Sequence, residues 1–403
     1  MKYRRQVEGL IILFILGIII KLPGVPKLTA AILTVMAIGY WWGEKALSQI
    51  TYRREFHYTR AFPGEEIPAA LEIKNNKFLP VSWLRARDPW PKAVGPLDNA
   101  DMSLFHSLEL GRLVNVFSLR WFESARREYI LRFRKRGVYE IGPVQLESGD
   151  VFGIYKNIQI QGKAEKLTVF PELLPLADLG LPAEDPFGDL KSPRMIFEDP
   201  NRPMGVREYR PEDELRRVHW PATARTGQMQ VKVYEPTTNQ VMVVCLDAAT
   251  GENIWEGIYE ELLEHLISLA GSILYHGMQS GYQIGLISNG AVGSADRSLR
   301  ILPGRSAKHL ANLLSLLAGV SPVVIAPFDR FLISEISRVP YGATLVLVSA
   351  VTTSSLQDSI MRLKKHGWRM VLISLAEASP PPLPGIKTIH LPFKEAASPP
   401  EAV

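Results

Sequence analysis

Cysteine is nearly absent from this chain: Cys245 is the single thiol in 403 residues. No internal disulfide can form, so stability has to come from packed cores. Cys245 stands inside the apolar run Val241 to Leu246 and reads as an inert buried thiol. Also missing are the short motifs of familiar chemistry. There is no GxxxxGK followed by Ser or Thr, no HExxH, no GxSxG and no CxxC. Nucleotide hydrolysis, zinc proteolysis and hydrolase-elbow chemistry therefore lack their local parts. The 8 histidines are scattered, and 46 Lys and Arg against 41 Asp and Glu leave a net charge of only +5. Such mild basicity suits nucleic acid, anionic lipid or neither, and no recognised nucleic-acid motif accompanies it, so no nucleic-acid partner is expected.

What the chain has is length and apolar content. Its 46% hydrophobic residues can supply the cores of two folded domains, at roughly 100 to 200 residues per domain. Two apolar runs, Val7 to Leu22 and Leu28 to Gly43, flank the turn-forming KLPGVPK and predict a transmembrane helical hairpin over residues 1–48. Each run is about 24 Å long as a helix, against a hydrocarbon layer of roughly 30 Å. Snorkelling from Lys2, Arg4, Arg5, Lys21 and Lys27, with Tyr40, Trp41 and Trp42 at the interface, makes up the difference. A cleaved signal peptide is the competing reading, disfavoured because a second apolar run follows at once. Lys2, Arg4 and Arg5 before the first run, and Lys45, Arg53 and Arg54 after the second, outweigh Lys21 and Lys27 between them. The expectation is two spans in the cell membrane, with the soluble domains cytoplasmic.

Residues 49–172 alternate in short segments punctuated by Pro63-Gly64, Asn75-Asn76, Gly95-Pro96, Gly137 and Gly142-Pro143, which predicts an antiparallel β-domain. In YILRFRKRG, Tyr129, Leu131 and Phe133 point one way while Arg132 and Arg134 point the other. With Arg120, Arg126, Arg127, Lys135 and Arg136 this is the most basic patch of the chain. A solvated strand face is the first reading of it and contact with anionic headgroups the second. Residues 173–204, rich in proline and acid, read as a surface linker. Beyond the next stretch the elements alternate in the α/β manner. The expected strands are Val241 to Leu246, Tyr282 to Ile287, Ala343 to Ser349 and Arg369 to Ser374. The expected helices are Ile254 to His276, Ala307 to Leu317, Phe328 to Ser337 and Ser355 to His366. Residues 379–403, with SPPPLPG and ASPPEAV, read as an extended or disordered tail.

Between linker and α/β pattern lies GVREYRPEDELRRVHWPATARTG, Gly205 to Gly227, which packs five arginines against four acids. Pro211 before three acids suits the first turn of a short helix. Arg216 and Arg217 would fall one turn after Asp213, and Trp220 one turn after Arg216, permitting a carboxylate pair and an arginine stacked on indole. The segment is either a buried polar clasp between domains or an arginine-rich docking surface.

The run Arg207-x-Tyr209-x-Pro211-x-Asp213-x-x-Arg216-x-x-His219-Trp220, followed by Thr223-Ala224-Arg225 and VKVYEP, closely resembles the signature of domain-of-unknown-function family 58. Glu212 stands where that family usually has glycine. FPGEEIPAALEIKNN and RKRGVYEIGPVQLESGDVFGIY look like family segments too. The resemblance implies a multidomain protein: an N-terminal transmembrane helical hairpin, an antiparallel β-domain, then over residues 205–378 the signature and a von Willebrand factor A-like (Rossmann-like) α/β domain. It implies as partners the membrane, a MoxR-type AAA+ ATPase and a transglutaminase-like membrane protein. Domains of that type often bind a divalent metal through Asp-x-Ser-x-Ser. Here the run is Asp247-Ala248-Ala249-Thr250-Gly251, with both hydroxyls lost at Ala249 and Gly251, so neither metal nor cofactor is expected. The expected function is a non-enzymatic, membrane-anchored scaffold or adaptor with binding residues Arg207, Tyr209, Pro211, Asp213, Arg216, His219, Trp220, Arg225 and Asp247. The alternative is a cell-envelope enzyme using His219 and neighbouring acids.

Overall fold

A computed structural model describes residues 4–97, 102–104, 110–175, 197–210, 213, 218–237, 241–252, 257–293 and 295–393. The chain divides into two compact units, Met1–Phe170 and Pro171–Val403.

The first unit opens with helices α1 (Arg4–Ile19) and α2 (Gly24–Lys45). α2 starts earlier than the apolar run beginning at Leu28, because Pro26 in the first turn needs no amide partner. A side chain at Gly17 would come within 2.9 Å of Val25 Cγ1, so glycine lets the two helices meet closely. With 22 residues, α2 is long and apolar enough to cross a membrane, whereas α1 has 16.

Among the described residues eleven strands follow: β1 (Ile50–Phe56), β2 (Arg60–Ala61), β3 (Glu66–Asn75), β4 (Val81–Pro91), β5 (Met102–Leu104), β6 (Leu110–Leu119), β7 (Ser124–Arg132), β8 (Gly137–Ile141), β9 (Val144–Gly149), β10 (Lys156–Gln161) and β11 (Glu165–Val169). They form three sheets, ordered β1-β3-β7, β10-β9-β4-β6-β5 and β2-β11-β8. Pairing is antiparallel except between β2 and β11. One core gathers Leu71, Trp90, Leu113, Leu131 and Phe133, another Ile73, Leu84, Leu119 and Leu146. The alternation read in YILRFRKRG is present: Leu131 and Phe133 are buried while Arg132 and Arg134 are exposed. The basic patch is already engaged. Arg126 binds Glu55 and Glu128, Arg127 bonds Asn115 and the Val116 carbonyl, and Arg134 reaches the carbonyls of Lys92 and Pro96.

The second unit begins with an antiparallel pair, β12 (Phe197–Glu208) and β13 (Gln230–Thr237), and helix α3 (Trp220–Thr226) lies between them in sequence. The expected linker over 173–204 is thus structured at both ends. Phe197 onward is strand, because β13 supplies its ladder, and at the other end the Leu174 amide donates to Ser272 Oγ at 2.9 Å. The middle of that linker lies outside the described residues.

The α/β part runs β14 (Val241–Leu246), α4 (Glu260–Gln279), β15 (Gln283–Val292), β16 (Ala295–Gly304), α5 (Ala307–Ala318), β17 (Val320–Val324), α6 (Phe328–Ile336), β18 (Thr344–Ser349), α7 (Ser354–Lys365), β19 (Arg369–Ser374) and β20 (Lys387–His390). The sheet order is β16-β15-β14-β18-β19-β20, with β17 on β15. The ladder from β15 through β14, β18 and β19 to β20 is parallel, and β16 and β17 join β15 antiparallel. Parallel strands covered by crossover helices are buried on both faces, which is why VMVVCL and TLVLVS are apolar without alternation. Two expectations change here. α4 starts at Glu260 rather than Ile254, since residues 257–259 are still turning, with the Tyr259 amide on Thr250 Oγ1. The supposed tail from 379 contains β20, because the edge of β19 is an open ladder that Lys387 to His390 completes despite the prolines before it.

Candidate functional site at the end of the parallel sheet

Parallel α/β sheets place their functional groups at the carboxyl ends of strands, where the backbone leaves the ladder and unpaired polar groups collect. Here β14 ends at Asp247, which is 3% exposed. Its Oδ1 accepts from the Ala249 amide at 3.0 Å and from Asn289 Nδ2 at 2.9 Å, and its Oδ2 lies 2.9 Å from Ser349 Oγ. Asn289, in β15, ties the end together: its Nδ2 also reaches the Ala326 carbonyl, and its Oδ1 accepts the Ala248 amide at 2.8 Å. Ser349 closes β18, and its Oγ sits 2.7 Å from the Val351 carbonyl as well. Thr353 caps α7 by accepting the Leu356 amide. Burial pushes the Asp247 carboxyl up to about 6. The three hydrogen bonds it accepts oppose that shift, and the charge of Asp329 adds to it.

Above this network is a cavity of about 240 Å³ lined by Asp247, Gly251, Asp329, Val351, Thr353 and Ser355. A second of about 210 Å³ lies between Thr250 and Ile258 on one side and Pro322 and Val323 on the other. Val323 in its lining is exposed, as is Ile325 two residues on. A hard divalent cation does not fit: both Asp247 oxygens are already engaged with protein donors, and Ala249 and Gly251 bring no side-chain oxygen. Among the described residues no three His, Cys, Asp or Glu side chains converge on a common point.

The signature residues form a separate local cluster on the β12–β13 pair. Arg207 holds Asp213 through both nitrogens at 2.6 and 2.5 Å, and Asp213 also accepts the Arg210 amide. The hydrogen bonds from Arg207 first, then from Arg210, keep the Asp213 carboxyl below its ordinary range. The Arg207 side chain is 42% exposed and that of Asp213 10%, so the pair is open to solvent on its guanidinium side. Asp213 therefore pairs backward to Arg207; Arg216 and Pro211 lie outside the described residues. Tyr209 donates its amide to the Met229 carbonyl, Trp220 is 67% exposed, and Arg225 is exposed in the last turn of α3.

His219 has a defined local job. Its Nδ1 accepts the Ala222 amide at 3.0 Å, capping α3, while its own amide bonds the Gln230 carbonyl. His219→Ala is expected to cost about 1 kcal/mol, as loss of an N-cap does, and His219→Asn to restore most of it. Urea unfolding of the two variants checks this; equal losses in both would refute the capping role. Sequence reasoning passed over Asn289 and Asp329. The available signal was Ser288-Asn289, a polar pair interrupting an apolar strand.

The chain is thus a multidomain protein with β-rich and α/β parts and one N-terminal helix apolar enough to span a membrane. Residues 205–391, which include both the hairpin cluster and the Asp247 network, match the family described as "Protein of unknown function DUF58". "Uncharacterized protein YeaD" of Bacillus subtilis (strain 168) is 21% identical over 325 residues, spanning 80% of this chain and 75% of that protein. Among solved structures, the CARDB domain of a Pyrococcus furiosus protein aligns at TM-score 0.19 and 11% identity, covering 30% of this chain and 91% of that one. The sporulation control protein Spo0M from Bacillus subtilis aligns at TM-score 0.20 and 14% identity, covering 33% and 53%. At such scores neither structure bears on the fold or function of this chain.

Proposed function

We propose that this protein is a membrane-anchored, non-enzymatic adaptor: α1 and α2 cross the membrane as a hairpin with both ends cytoplasmic, and a von Willebrand factor A-like domain offers its strand-end face to a protein partner. The observation that carries this reading is the composition of that face. Exposed Val323 lines one cavity, exposed Ile325 follows it in the chain, and Asp247, which lines the other cavity, has its carboxylate bonded to Asn289 and Ser349. Recognition faces combine exposed apolar groups with a few fixed polar ones, whereas catalysis needs a nucleophile or base within reach of a substrate. The enzyme alternative draws no support from His219, whose Nδ1 is committed to the Ala222 amide.

The family resemblance names the partner class to test, a MoxR-type AAA+ ATPase. Crosslinking of the tagged full-length protein in native membranes, followed by identification of what co-purifies, is expected to recover such an ATPase. Val323→Asp, which places a charge on that exposed lining without touching the core, is expected to lose it. Failure to recover any ATPase with the native protein would overturn the partner assignment, and equal recovery with the variant would move the contact away from the strand end.

A further inference from the structure

Three turns at one end of the first unit present large apolar side chains to solvent. The register places them together: Val81 pairs with Leu119, Leu84 with Ser148 and Ile50 with Asn75. Residues 76–80, 120–123 and 150–155 therefore cluster at the end where α2 delivers the chain into β1. On these turns Phe78 is 72% exposed, Trp121 58%, Phe122 63%, Val151 56% and Phe152 63%. A single exposed ring is ordinary, but five such side chains gathered at one end mark an interaction surface.

The turns are built rather than loose. The carboxylate of fully buried Asp150 accepts the amides of Phe152 at 3.0 Å and Tyr155 at 2.6 Å. Asn75 donates to the carbonyls of Leu79 and Arg120, and Phe78 stacks on Trp121 with centroids 5.5 Å apart. Lys77 Nζ donates to the carbonyls of Ala46 and Ser48, directly below α2, at 2.7 and 2.8 Å.

Their height is set by α2. A side-chain carbon at Gly43 would lie 3.7 Å from the Asp150 amide nitrogen, and one at Gly39 would lie 3.4 Å from Asp150 Oδ2. Gly39 is one turn, about 6 Å, further toward the middle of the apolar helix. Since the Phe152 amide binds that same Oδ2, the Val151–Phe152 turn stands beside the apolar stretch of α2, not below it. Tyr155 follows against Gly43 and Tyr40, its ring edge-on to Tyr40 at 5.5 Å. Lys156 and Lys45 come next. Apolar, then aromatic, then cationic is the sequence of groups met on leaving a bilayer core for its headgroups.

We propose that this end of the β-rich unit is seated in the interfacial layer of the bilayer that α2 crosses, with Phe78, Trp121, Phe122, Val151 and Phe152 in contact with lipid. The inference rests on the membrane-anchoring reading above. It holds the unit against the membrane in a fixed orientation, as an amphipathic interfacial element does.

The test uses the full-length protein in vesicles of phosphatidylcholine and phosphatidylglycerol carrying doxyl-labelled lipid. Cys245 is fully buried, so an introduced cysteine is the accessible thiol for a nitrobenzoxadiazole label. Labels at Val151→Cys and Phe78→Cys are expected to emit at shorter wavelength and to be quenched by the doxyl lipid. Val35→Cys in α2 serves as the membrane reference, and Lys163→Cys, beyond the far end of β10, as the water reference. Adding Phe152→Asp should reduce quenching at Val151→Cys. If either turn reads as Lys163→Cys does while Val35→Cys is quenched, the seating is wrong and the anchor stands. If Val35→Cys is not quenched, anchor and seating both fail.

Discussion

Asp88→Ala is expected to lower the unfolding free energy of the β-rich unit by about 3–5 kcal/mol, the cost of stranding a buried charge. The charge is Arg54. Its side chain is 2% exposed and that of Asp88 1%, and the two meet through Nε to Oδ2 and Nη2 to Oδ1, both at 2.7 Å. Tyr52 Oη adds a bond to Asp88 at 3.0 Å, and Arg54 Nη1 reaches Glu165 at 3.1 Å. Remove Asp88 and only the partly exposed Glu165 remains to balance the guanidinium. Gly142 lets Arg54 lie this close to the backbone, since a side chain there would collide with Nη2. The double replacement Arg54→Met with Asp88→Leu should recover most of the loss, because an apolar pair of similar size needs no hydrogen bonds. Urea unfolding followed by tryptophan fluorescence measures both proteins. A single variant within about 1 kcal/mol of wild type would show that water reaches Arg54 and that the pair is not isolated.

This pair illustrates what the sequence leaves hidden. Arg54 and Asp88 lie 34 residues apart on strands whose other charges point to solvent, and no local pattern distinguishes an inward arginine from an outward one. The periodic elements were legible. Arg369–Ser374 has the expected bounds, and the spans of β18, α5, α6 and α7 differ by no more than a residue at each end, because long apolar runs and amphipathic helices announce themselves locally. What failed depends on a partner elsewhere. β20 is strand only because the edge of β19 is open, and β12 extends into the supposed linker only because β13 lies beside it. The candidate site divides the same way. Asp247 stood out as a carboxylate ending an apolar strand, while Asn289, 42 residues later, gains meaning only from the parallel register that sets Leu246 beside Ser288. The signature arginines were conspicuous by density, yet the Asp213 pairing went to Arg207, because the hairpin, and not helical spacing, decides which charges meet.

Asp247→Asn is expected to remove a pH dependence worth about 3 kcal/mol from the stability of the α/β unit, at roughly 1.4 kcal/mol per pKa unit. The carboxyl titrates near 6 in the folded protein and at 3.8 when unfolded. The folded state therefore binds this proton more tightly. Its stabilising contribution is complete below about pH 4 and is lost as pH rises through 6. Burial is the cause of that preference; the hydrogen bonds Asp247 accepts oppose it, and the one from Ser349 is the most easily given up. Ser349 has one hydroxyl hydrogen and two acceptors, Asp247 Oδ2 at 2.9 Å and the Val351 carbonyl at 2.7 Å. With Asp247 ionised, one of these acceptors goes without. With Oδ2 protonated, that proton donates to Ser349 Oγ, Ser349 donates to the Val351 carbonyl, and every group in the chain is satisfied. The asparagine amide makes the same donation at every pH, while its oxygen still accepts from Asn289 and the Ala249 amide. Relative to wild type, the variant should thus gain stability steadily between pH 4 and 7, and Asp247→Ala, which leaves Asn289 short of an acceptor, should be less stable throughout. Urea unfolding at half-unit pH steps, comparing each variant with wild type so that other carboxylates cancel, reads this out. A difference between wild type and Asp247→Asn that stays level from pH 4 to 7 would mean the carboxyl is ionised throughout, and that some cationic group not yet identified shares its end of the sheet.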